Sequence, residues 1–140
     1  MASRARASRP KASDAFPKVR RDHARETAED YVEAIGDISE RAGACRVADL
    51  ARHMRVSHVT VVRTIARLSA AGLVEKERYG PVQLTPSGAR MAAGARERHR
   101  QVFAFLVAIG VPEDVARRDA EGLEHHVSPA TIAAMRRVVA

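Results

Sequence analysis

Residues 46–88 read RVADLARHMRVSHVTVVRTIARLSAAGLVEKERYGPVQLTPSG, and this stretch decides the fold. Its apolar residues recur at helical spacing before Arg55 and again after Ser57, a residue type that commonly caps the start of a helix. Gly72 predicts the end of the second helix, because glycine readily adopts the left-handed conformation that often follows a helix. The pattern therefore predicts two short helices joined by a tight turn.

A charged hairpin is predicted to follow the two helices. Two short β-compatible runs at 73–74 and 82–84 flank a charged tip, in which Gly80-Pro81 marks a turn. Thr85-Pro86 then has the form of an N-cap followed by the first residue of a new helix. Helix, turn, helix and hairpin in this order predict a winged helix-turn-helix, whose second helix enters the major groove of DNA. An unrelated helical domain is the alternative.

Upstream of this stretch the chain changes character near residue 26. Residues 1–25 scatter Arg, Lys and Ser without an apolar period, and they are predicted to form a flexible basic arm that adds non-specific affinity for DNA. From Thr27 the apolar residues recur at helical spacing to about Ala42, and Gly43 is expected to end that helix.

Downstream of the hairpin three further helices are predicted. The first runs from Pro86 to about Ile109, the second occupies about residues 112–126, and Ser128 caps the last. The expected fold is mainly α, with a winged helix-turn-helix followed by an all-helical domain.

Composition narrows the class of partner. The 140 residues carry a formal net charge of +7 and a sequence pI near 10.7, which favours a phosphate-backbone partner. Aromatic residues make up 4% and Trp is absent, so base stacking on an aromatic platform is not expected. Cys45 is the only cysteine, which excludes an intrachain disulfide and a zinc site built on cysteines. The longest apolar run, 102–111, is too short to cross a bilayer, so we expect a cytoplasmic protein with no membrane partner.

The outward residues of the second helix and the hairpin tip are the candidate DNA contacts. Residues 46–90 hold eight Lys and Arg against three acidic residues, whereas residues 111–126 hold two Arg against five. The chain thus separates a basic half from an acidic half, although a solvated charged face is the alternative for any single arginine. Compact or basic side chains at outward positions predict base or phosphate contacts by Ser57, His58, Thr60, Arg63, Thr64, Arg67, Lys76 and Arg78.

The acidic half contains DAEGLEHHVS at 119–128. Within it Glu121, Glu124 and His125 fall at i, i+3 and i+4, so they share one face if the segment is helical. Like charges side by side need a positive partner, which could be an arginine, a proton or a metal ion. His126 points about 100° away from His125 on such a helix, which favours a supporting or structural role.

Two other helices hold residues that can join this cluster. His99 lies in the long helix that follows the hairpin, and Asp30 and Glu33 lie at i, i+3 spacing in the helix that precedes the winged segment. If the three helices pack together, carboxylate and imidazole groups converge. A donor set rich in oxygen, with two imidazoles and no sulfur, suits Mn²⁺ or Fe²⁺ better than Zn²⁺ or Cu⁺.

These motifs together resemble the manganese-responsive branch of the DtxR family of metal-dependent repressors. The resemblance rests on EDYVEAI at 29–35, the winged-helix segment, His99 in RERHRQVFAFL and EGLEHH at 121–126, and it covers about residues 26–140. By this resemblance the family's metal ligands are matched one for one by Asp30, Glu33, His99, Glu121, Glu124 and His125.

The resemblance also implies a function and a division of the chain. Residues 1–25 would be the arm, 26–90 the DNA-binding domain and 91–140 a helical dimerisation and metal-binding domain. The expected protein is a homodimeric transcriptional repressor of manganese uptake that binds a palindromic double-stranded DNA operator when Mn²⁺ is bound. It would not be an enzyme and would take no organic substrate.

Details of the resemblance refine these expectations. Iron-responsive relatives place Met and Cys where Asp30 and Glu121 stand, which favours Mn²⁺ with Fe²⁺ as the alternative. The SH3-like third domain of the larger iron regulators is not expected. The dimer surface is therefore predicted to lie on the C-terminal helices, with candidate residues Phe103, Leu106, Val107, Ile132 and Met135.

Two other classes of function compete with the repressor. A metal-dependent hydrolase or di-metal oxidase could use the Glu and His cluster, but the chain has no HExxH motif and no paired ExxH on two helices. A DNA-binding protein that needs no metal could hold the cluster with Arg117 and Arg118 instead.

Overall fold

A computed structural model describes the backbone of residues 12–140 and the side chains from residue 17. Within these residues the fold consists of six helices and a two-stranded antiparallel hairpin. The elements, in chain order, are α1 (Ala12–Ala42), α2 (Val47–Met54), α3 (His58–Ala70), β1 (Val74–Lys76), β2 (Val82–Leu84), α4 (Pro86–Ala108), α5 (Glu113–Leu123) and α6 (Pro129–Val139).

The winged helix-turn-helix predicted from the sequence is confirmed. Arg55 adopts a left-handed conformation (φ 56°) at the end of α2, which turns the chain sharply toward α3. The Ser57 hydroxyl then accepts a hydrogen bond from the backbone N–H of Thr60 and satisfies one of the free donors at the start of α3. In the hairpin, or wing, Val74 pairs with Leu84, and Tyr79 at its tip is exposed.

The N-terminal core lies between α1, α2, α3 and the wing. Its buried side chains come from residues at helical spacing on each helix and from the inward positions of the two strands. Burial of these apolar groups is the main contribution to the stability of this half. The largest of them are Tyr31, Ile35, Ile38, Leu50, Val61, Ile65, Leu68, Val74 and Val82.

A second, smaller core joins α4, α5 and α6. It consists of Val102, Leu106, Ala116, Ala120 and Ile132, with Phe103, Phe105 and Met135 packed against it. Of the predicted dimer-surface residues, Leu106 and Ile132 are buried inside the protomer, whereas Val107 is exposed. The prediction is corrected for the first two, because they close the small core.

Helix α1 connects the two halves of the molecule. It packs on α2 and β2 of the winged domain and also on α4 of the C-terminal half. Over 31 residues it spans about 46 Å, and it ends at Ala42 before Gly43 (φ 81°), as predicted.

The start of α1 differs from the prediction. The helix was expected to begin at Thr27, but residues 12–25, assigned to the flexible basic arm, are helical. Apolar periodicity does not reveal this extension because the segment is rich in Arg, Lys and Ala, which favour a helix without an apolar face. Residues 1–11 of the predicted arm lie outside the described residues.

The end of α5 also differs from the prediction. The helix stops at Leu123, and Glu124, His125 and His126 form the turn that follows. Gly122 weakens the last helical turn. Arg98 donates from Nε to the Glu124 carbonyl oxygen at 3.3 Å and so satisfies a backbone group that α5 leaves free.

The junction between the wing and α4 is fixed by a close approach. The Thr85 hydroxyl caps α4 by accepting from the Gly88 N–H, and it donates to the Gly72 carbonyl oxygen at 2.6 Å. A Cβ at Gly88 would lie 2.0 Å from the Leu73 carbonyl oxygen, so no other residue fits there without a backbone shift. No helix in the described part of the chain is long and apolar enough to cross a membrane.

Candidate metal centre and DNA-facing surface

One face of α1 is acidic where it meets the C-terminal half. Glu26, Glu29, Asp30 and Glu33 recur at spacings of three and four, so they lie along one side of the helix. Glu29 is buried, whereas Glu26, Asp30 and Glu33 are partly buried. The same helix turns Tyr31, Val32 and Ile35 into apolar surroundings.

The structure brings this acidic face against α4 and the turn after α5. Five of the six predicted metal ligands line one cavity of about 660 Å³, together with Asp37, Met54, Arg96 and Arg100. These five are Asp30, Glu33, His99, Glu121 and Glu124. The sixth, His125, contacts two of them directly.

His125 lies where the acidic face of α1 meets the turn after α5, a place called the acidic junction below, and its side chain is 2% exposed. Its Nε2 is 3.0 Å from Asp30 Oδ1 and 3.4 Å from Glu124 Oε1. Its Nδ1 is 2.7 Å from Glu29 Oε2 on α1. The imidazole therefore joins α1 to the turn after α5.

Glu124 is the most strongly perturbed acid of the centre. Burial, with repulsion from the Glu33 carboxylate, raises the pKa of Glu124 to about 8. Its Oε2 is buried without a hydrogen-bond partner in the described residues, although His99 Nδ1 lies 3.4 Å away. A buried carboxylate oxygen without a partner is costly. A proton, or a cation held among the neighbouring carboxylates, would lower this cost.

The pKa values of Asp30, Glu33 and His125 are shifted in the directions that burial and charge require. Burial raises the pKa of Asp30 and of Glu33, and in Glu33 the charge of Asp30 adds to the effect. Burial alone would lower the pKa of His125, but the hydrogen bond to Glu29 and the charge of Asp30 outweigh it and raise that pKa. The carboxylates destabilise one another, and a cation would relieve this.

Glu29 differs from the other acids because positive groups surround it. Burial opposes its ionisation, but the hydrogen bond from His125 and the charge of Arg98 outweigh burial and lower the pKa of Glu29. Arg98 Nη2 lies 2.6 Å from Glu29 Oε2, and Arg25 donates from Nε to Glu29 Oε1 at 3.2 Å. Glu29 is thus an ionised carboxylate that already has its partners.

The donor chemistry fits a hard divalent cation. The predicted ligands supply carboxylate oxygens and two imidazoles, and the unpartnered Glu124 oxygen faces this set. Mn²⁺ and Fe²⁺ prefer such a mixture of oxygen and nitrogen donors. Glu33 and Glu121 line the cavity without direct contact to the other predicted ligands, so the contacts group Asp30, His99, Glu124 and His125 more tightly than these two.

Sequence reasoning missed three residues at this junction, Glu26, Glu29 and Arg98, whereas a supporting role was predicted for His126. Donor atoms of Glu26, Asp30 and His125 lie within 4.8 Å of one another, and His126 Nε2 lies 3.4 Å from Glu26 Oε2. A signal for Glu26 and Glu29 was present, since both share the helical face of Asp30 and Glu33. Arg98 carried no local signal.

Most predicted DNA contacts are exposed on α3 and the wing. Thr60 is held at the start of α3 by hydrogen bonds with the Ser57 hydroxyl, and Arg78 lies 5.4 Å from the centre of the Tyr79 ring. These two elements present one basic surface. Its exposed members are Ser57, His58, Thr60, Arg63, Arg67, Lys76 and Arg78.

Thr64 is the exception, and its prediction as a DNA contact is wrong. The residue is 8% exposed, and its hydroxyl donates to the Thr60 carbonyl oxygen at 2.9 Å. The reason is helical geometry, because Thr64 lies on the same face as Val61, Ile65 and Leu68, which belong to the core.

Two valines on α3 were overlooked as candidate DNA contacts. Val59 and Val62 are 58% and 55% exposed near the start of the helix. Apolar side chains at such positions contact thymine methyl groups when a helix enters the major groove. The signal was available, since placing Val61 in the core turns Val59 and Val62 outward.

Comparison with known proteins relates both halves of the chain to one family. The family model for the N-terminal DNA binding domain of the iron dependent repressor matches residues 23–82. The model for the iron dependent repressor metal binding and dimerisation domain matches residues 85–140. Together they cover most of the chain.

Individual relatives agree with the family models. The transcriptional regulator MntR of Escherichia coli O6:H1 is 44% identical over 123 residues, which are 88% of this chain and 79% of that protein. The HTH-type transcriptional regulator MntR of Geobacillus kaustophilus is 36% identical over 100 residues, 71% of either chain.

Solved structures share the fold. A manganese-dependent transcriptional repressor in complex with manganese superposes with a TM-score of 0.71 at 34% identity, over 80% of this chain and 52% of that one. IdeR of T. acidophilum gives a TM-score of 0.67 at 30% identity, over 78% and 52%. The chain spans about half the length of these solved proteins.

Proposed function

This chain belongs to the iron dependent repressor family, and from that membership we propose that it is a manganese-responsive, DNA-binding transcriptional regulator. It represses genes for manganese uptake when Mn²⁺ is bound. Relatives named as MntR regulators at 44% and 36% identity support this choice of metal. So does the structural likeness to a manganese-dependent repressor.

The proposal rests on one observation, that the candidate metal ligands from the two halves of the molecule meet at one place. Asp30 and Glu33 lie on α1, which also belongs to the core of the winged domain, while His99, Glu121 and Glu124 come from the C-terminal half. These five residues and His125 would hold the ion, whose positive charge offsets the repulsion among the carboxylates.

The mechanism follows from this shared helix. Without the ion, Asp30, Glu33 and Glu124 can all be ionised only against their mutual repulsion, and the raised pKa of Glu124 shows that it retains a proton instead. The contact between α1 and the C-terminal half then lacks the cation that would bridge these groups. Because α1 packs in the winged domain, a change in this contact alters the position of α3 relative to the dimerisation half. Metal and DNA binding are then coupled, so DNA must tighten metal binding by the factor by which metal tightens DNA binding.

The DNA-binding unit is a homodimer. Two-fold symmetry places one α3 helix in each half-site of a palindromic double-stranded operator. Arg63 and its exposed neighbours on α3 contact base edges, and Lys76 and Arg78 of the wing contact the phosphate backbone. The protein acts in the cytoplasm as a regulator without catalytic activity, membrane partner or organic substrate.

An iron-responsive repressor of the same architecture is the second candidate. The name of the matched family models favours it. The donor set itself accepts either metal, because Mn²⁺ and Fe²⁺ share a preference for carboxylate and imidazole ligands.

The test is DNA binding as a function of metal. Fluorescence anisotropy would follow binding of the full chain to DNA from upstream of the organism's own manganese importer gene. Mn²⁺, Fe²⁺ under anaerobic conditions and Zn²⁺ are titrated against a chelated control. We expect tight DNA binding with Mn²⁺ but not with the other two metals. Tight binding with Fe²⁺ only would show that the protein is an iron-responsive repressor.

The double variant Glu121→Ala, His125→Ala separates a regulatory cluster from a structural one. It is expected to lose metal-dependent DNA binding while its thermal unfolding stays cooperative. Tight DNA binding by this variant, equal to that of the wild type and unchanged between Mn²⁺ and chelator, would contradict the proposed metal control. The exposed Glu113→Ala variant on α5 controls for the loss of a carboxylate outside the cluster.

A further inference from the structure

We propose that Glu29 is a positioning residue that fixes the His125 ring so that Nε2, and not Nδ1, faces the metal ligands. The inference deepens the proposed function and rests on it. Glu29 was not among the expected ligands, and it acts on the site through His125.

The contacts of His125 define the role. An imidazole has two nitrogens, and in its neutral form one carries a proton while the other offers a lone pair. Here Nδ1 lies 2.7 Å from Glu29 Oε2, and Nε2 lies 3.0 Å from Asp30 Oδ1. A carboxylate that accepts the proton of Nδ1 leaves the lone pair on Nε2, which is the arrangement that suits a ligating imidazole.

The surroundings of Glu29 prevent it from being a ligand itself. Its side chain is 4% exposed, and both of its oxygens already have partners. Arg98 and Arg25 contact its two oxygens, so its charge is already balanced. Asp30, Glu33 and Glu124 have no such pair of arginine contacts, and burial raises the pKa of each of them.

The position of His125 explains why such support is needed. His125 lies in the turn after α5, so no helical ladder holds its backbone. Arg98 steadies the turn by donating to the Glu124 carbonyl oxygen, and the same guanidinium contacts Glu29. One half-buried arginine thus holds both the carboxylate and the backbone beside the ring.

The ring orientation is tested first without any metal. Glu29→Gln replaces an obligate acceptor with an amide whose NH₂ can donate to Nδ1, which would transfer the proton to Nε2. Nitrogen NMR of ¹⁵N-histidine-labelled full chain, at a pH high enough for the ring to be neutral, reports which nitrogen carries the proton. We expect the Nδ1–H form in the wild type and a shift toward Nε2–H in the variant.

Metal affinity is the second readout. Loss of a group that orients a ligating histidine typically weakens metal binding by about 10- to 100-fold, and we expect a decrease of this size for Glu29→Gln. Electron paramagnetic resonance of free Mn²⁺ measures it. Glu40→Gln, an exposed change on the same helix, is the matched control and should leave both readouts unchanged.

A further variant separates positioning from folding. Glu29→Asp keeps the negative charge that Arg98 requires but withdraws it from the ring by one methylene. It should therefore fold and show an intermediate loss of Mn²⁺ affinity. Folding of each variant is checked by circular dichroism.

The outcomes are distinct. Wild-type Mn²⁺ affinity in both Glu29 variants, or an unchanged protonation pattern in Glu29→Gln, would overturn the positioning role while leaving the proposed function intact. A wild-type protein that binds DNA but no Mn²⁺ would instead overturn the proposed function, and this inference with it.

Discussion

The acidic junction and the basic surface of α3 use charge in opposite ways. At the junction, Glu29, Glu124 and His125 have side chains at most 4% exposed, and His125 contacts both acids, Glu124 beside it and Glu29 on the distant helix α1. On α3, Arg63 and Arg67 are exposed. The first set is desolvated and mutually dependent, whereas the second is hydrated.

This difference predicts how substitutions propagate. In a buried cluster each charge determines the ionisation of its neighbours, so a single change alters metal binding, stability and pH dependence together. On an exposed basic surface water screens the charges, and substitutions should act nearly independently. Four predictions test the contrast, in order of decreasing effect.

The largest effect is expected for Glu124→Gln. The substitution keeps the shape of the side chain but removes a charged donor, so Mn²⁺ affinity should fall by about 100-fold or more, since loss of supporting partners alone costs 10- to 100-fold. Free Mn²⁺ measured by electron paramagnetic resonance gives the affinity. Glu113→Gln, an exposed change on α5, is the control. An affinity equal to the wild type would remove Glu124 from the ligand set.

The second prediction concerns pH. Burial and Glu33 raise the pKa of Glu124 from 4.5 to about 8, so between these values the folded protein retains a proton that the unfolded chain has lost. The free energy of unfolding of the metal-free protein should therefore fall as pH rises through this window, by on the order of a few kcal/mol. The raised pKa values of Asp30, Glu33 and His125 act in the same direction.

Urea unfolding at a series of pH values measures this slope. Saturating Mn²⁺ should reverse its sign, because metal ligands bind in their deprotonated form and metal binding releases protons. Glu124→Gln should flatten the metal-free curve. A wild-type curve that is flat between pH 4.5 and 8 would show that the acids of the junction are solvated.

The third prediction tests independence on the DNA-facing side. Arg63→Ala should lower operator affinity by about 1–3 kcal/mol, as expected for loss of one base contact by an arginine. Its Mn²⁺ affinity in the absence of DNA should equal that of the wild type, because α3 contributes no residue to the metal cavity. A joint loss of both affinities would mean that the two regions are not separate.

The smallest effect is expected for Thr64→Ala. Thr64 lies on α3 but is buried, so the change should lower the free energy of unfolding by about 1 kcal/mol and leave operator affinity unaltered. Thr60→Ala, one turn earlier and exposed, should lower operator affinity and leave the free energy of unfolding nearly unaltered. Chemical denaturation and anisotropy measure the two quantities. A loss of DNA affinity in Thr64→Ala alone would restore the original assignment.

Local signals explain why the winged domain could be predicted from the sequence. The caps at Ser57 and Thr85 and the break near Gly72 act within a few residues, and the structure contains each of them. The start of α1 could not be predicted in the same way. Its first turns have no apolar stripe, and Pro17, which usually ends a helix, lies inside it.

The sequence was sufficient to predict which residues form the candidate site, but not which hydrogen bonds join them. Helical spacing and the family resemblance named the donors, and the structure brings all six of them to one junction. The hydrogen bond between Glu29 and His125 joins residues 96 positions apart, so no local pattern contains it. Thr64 was misassigned because its small polar side chain suits both a DNA surface and the edge of a core.

The two-sided use of α1 limits how this protein could be redesigned. Between Glu29 and Ile35 nearly every side chain is committed, either to the acidic junction or to an apolar core. A one-residue shift of the donors along the helix would rotate them by about 100° and place them among Tyr31, Val32 and Ile35. Metal preference can therefore be altered only by substitution in place. An insertion or deletion within this segment would disrupt the winged domain before it created a new specificity.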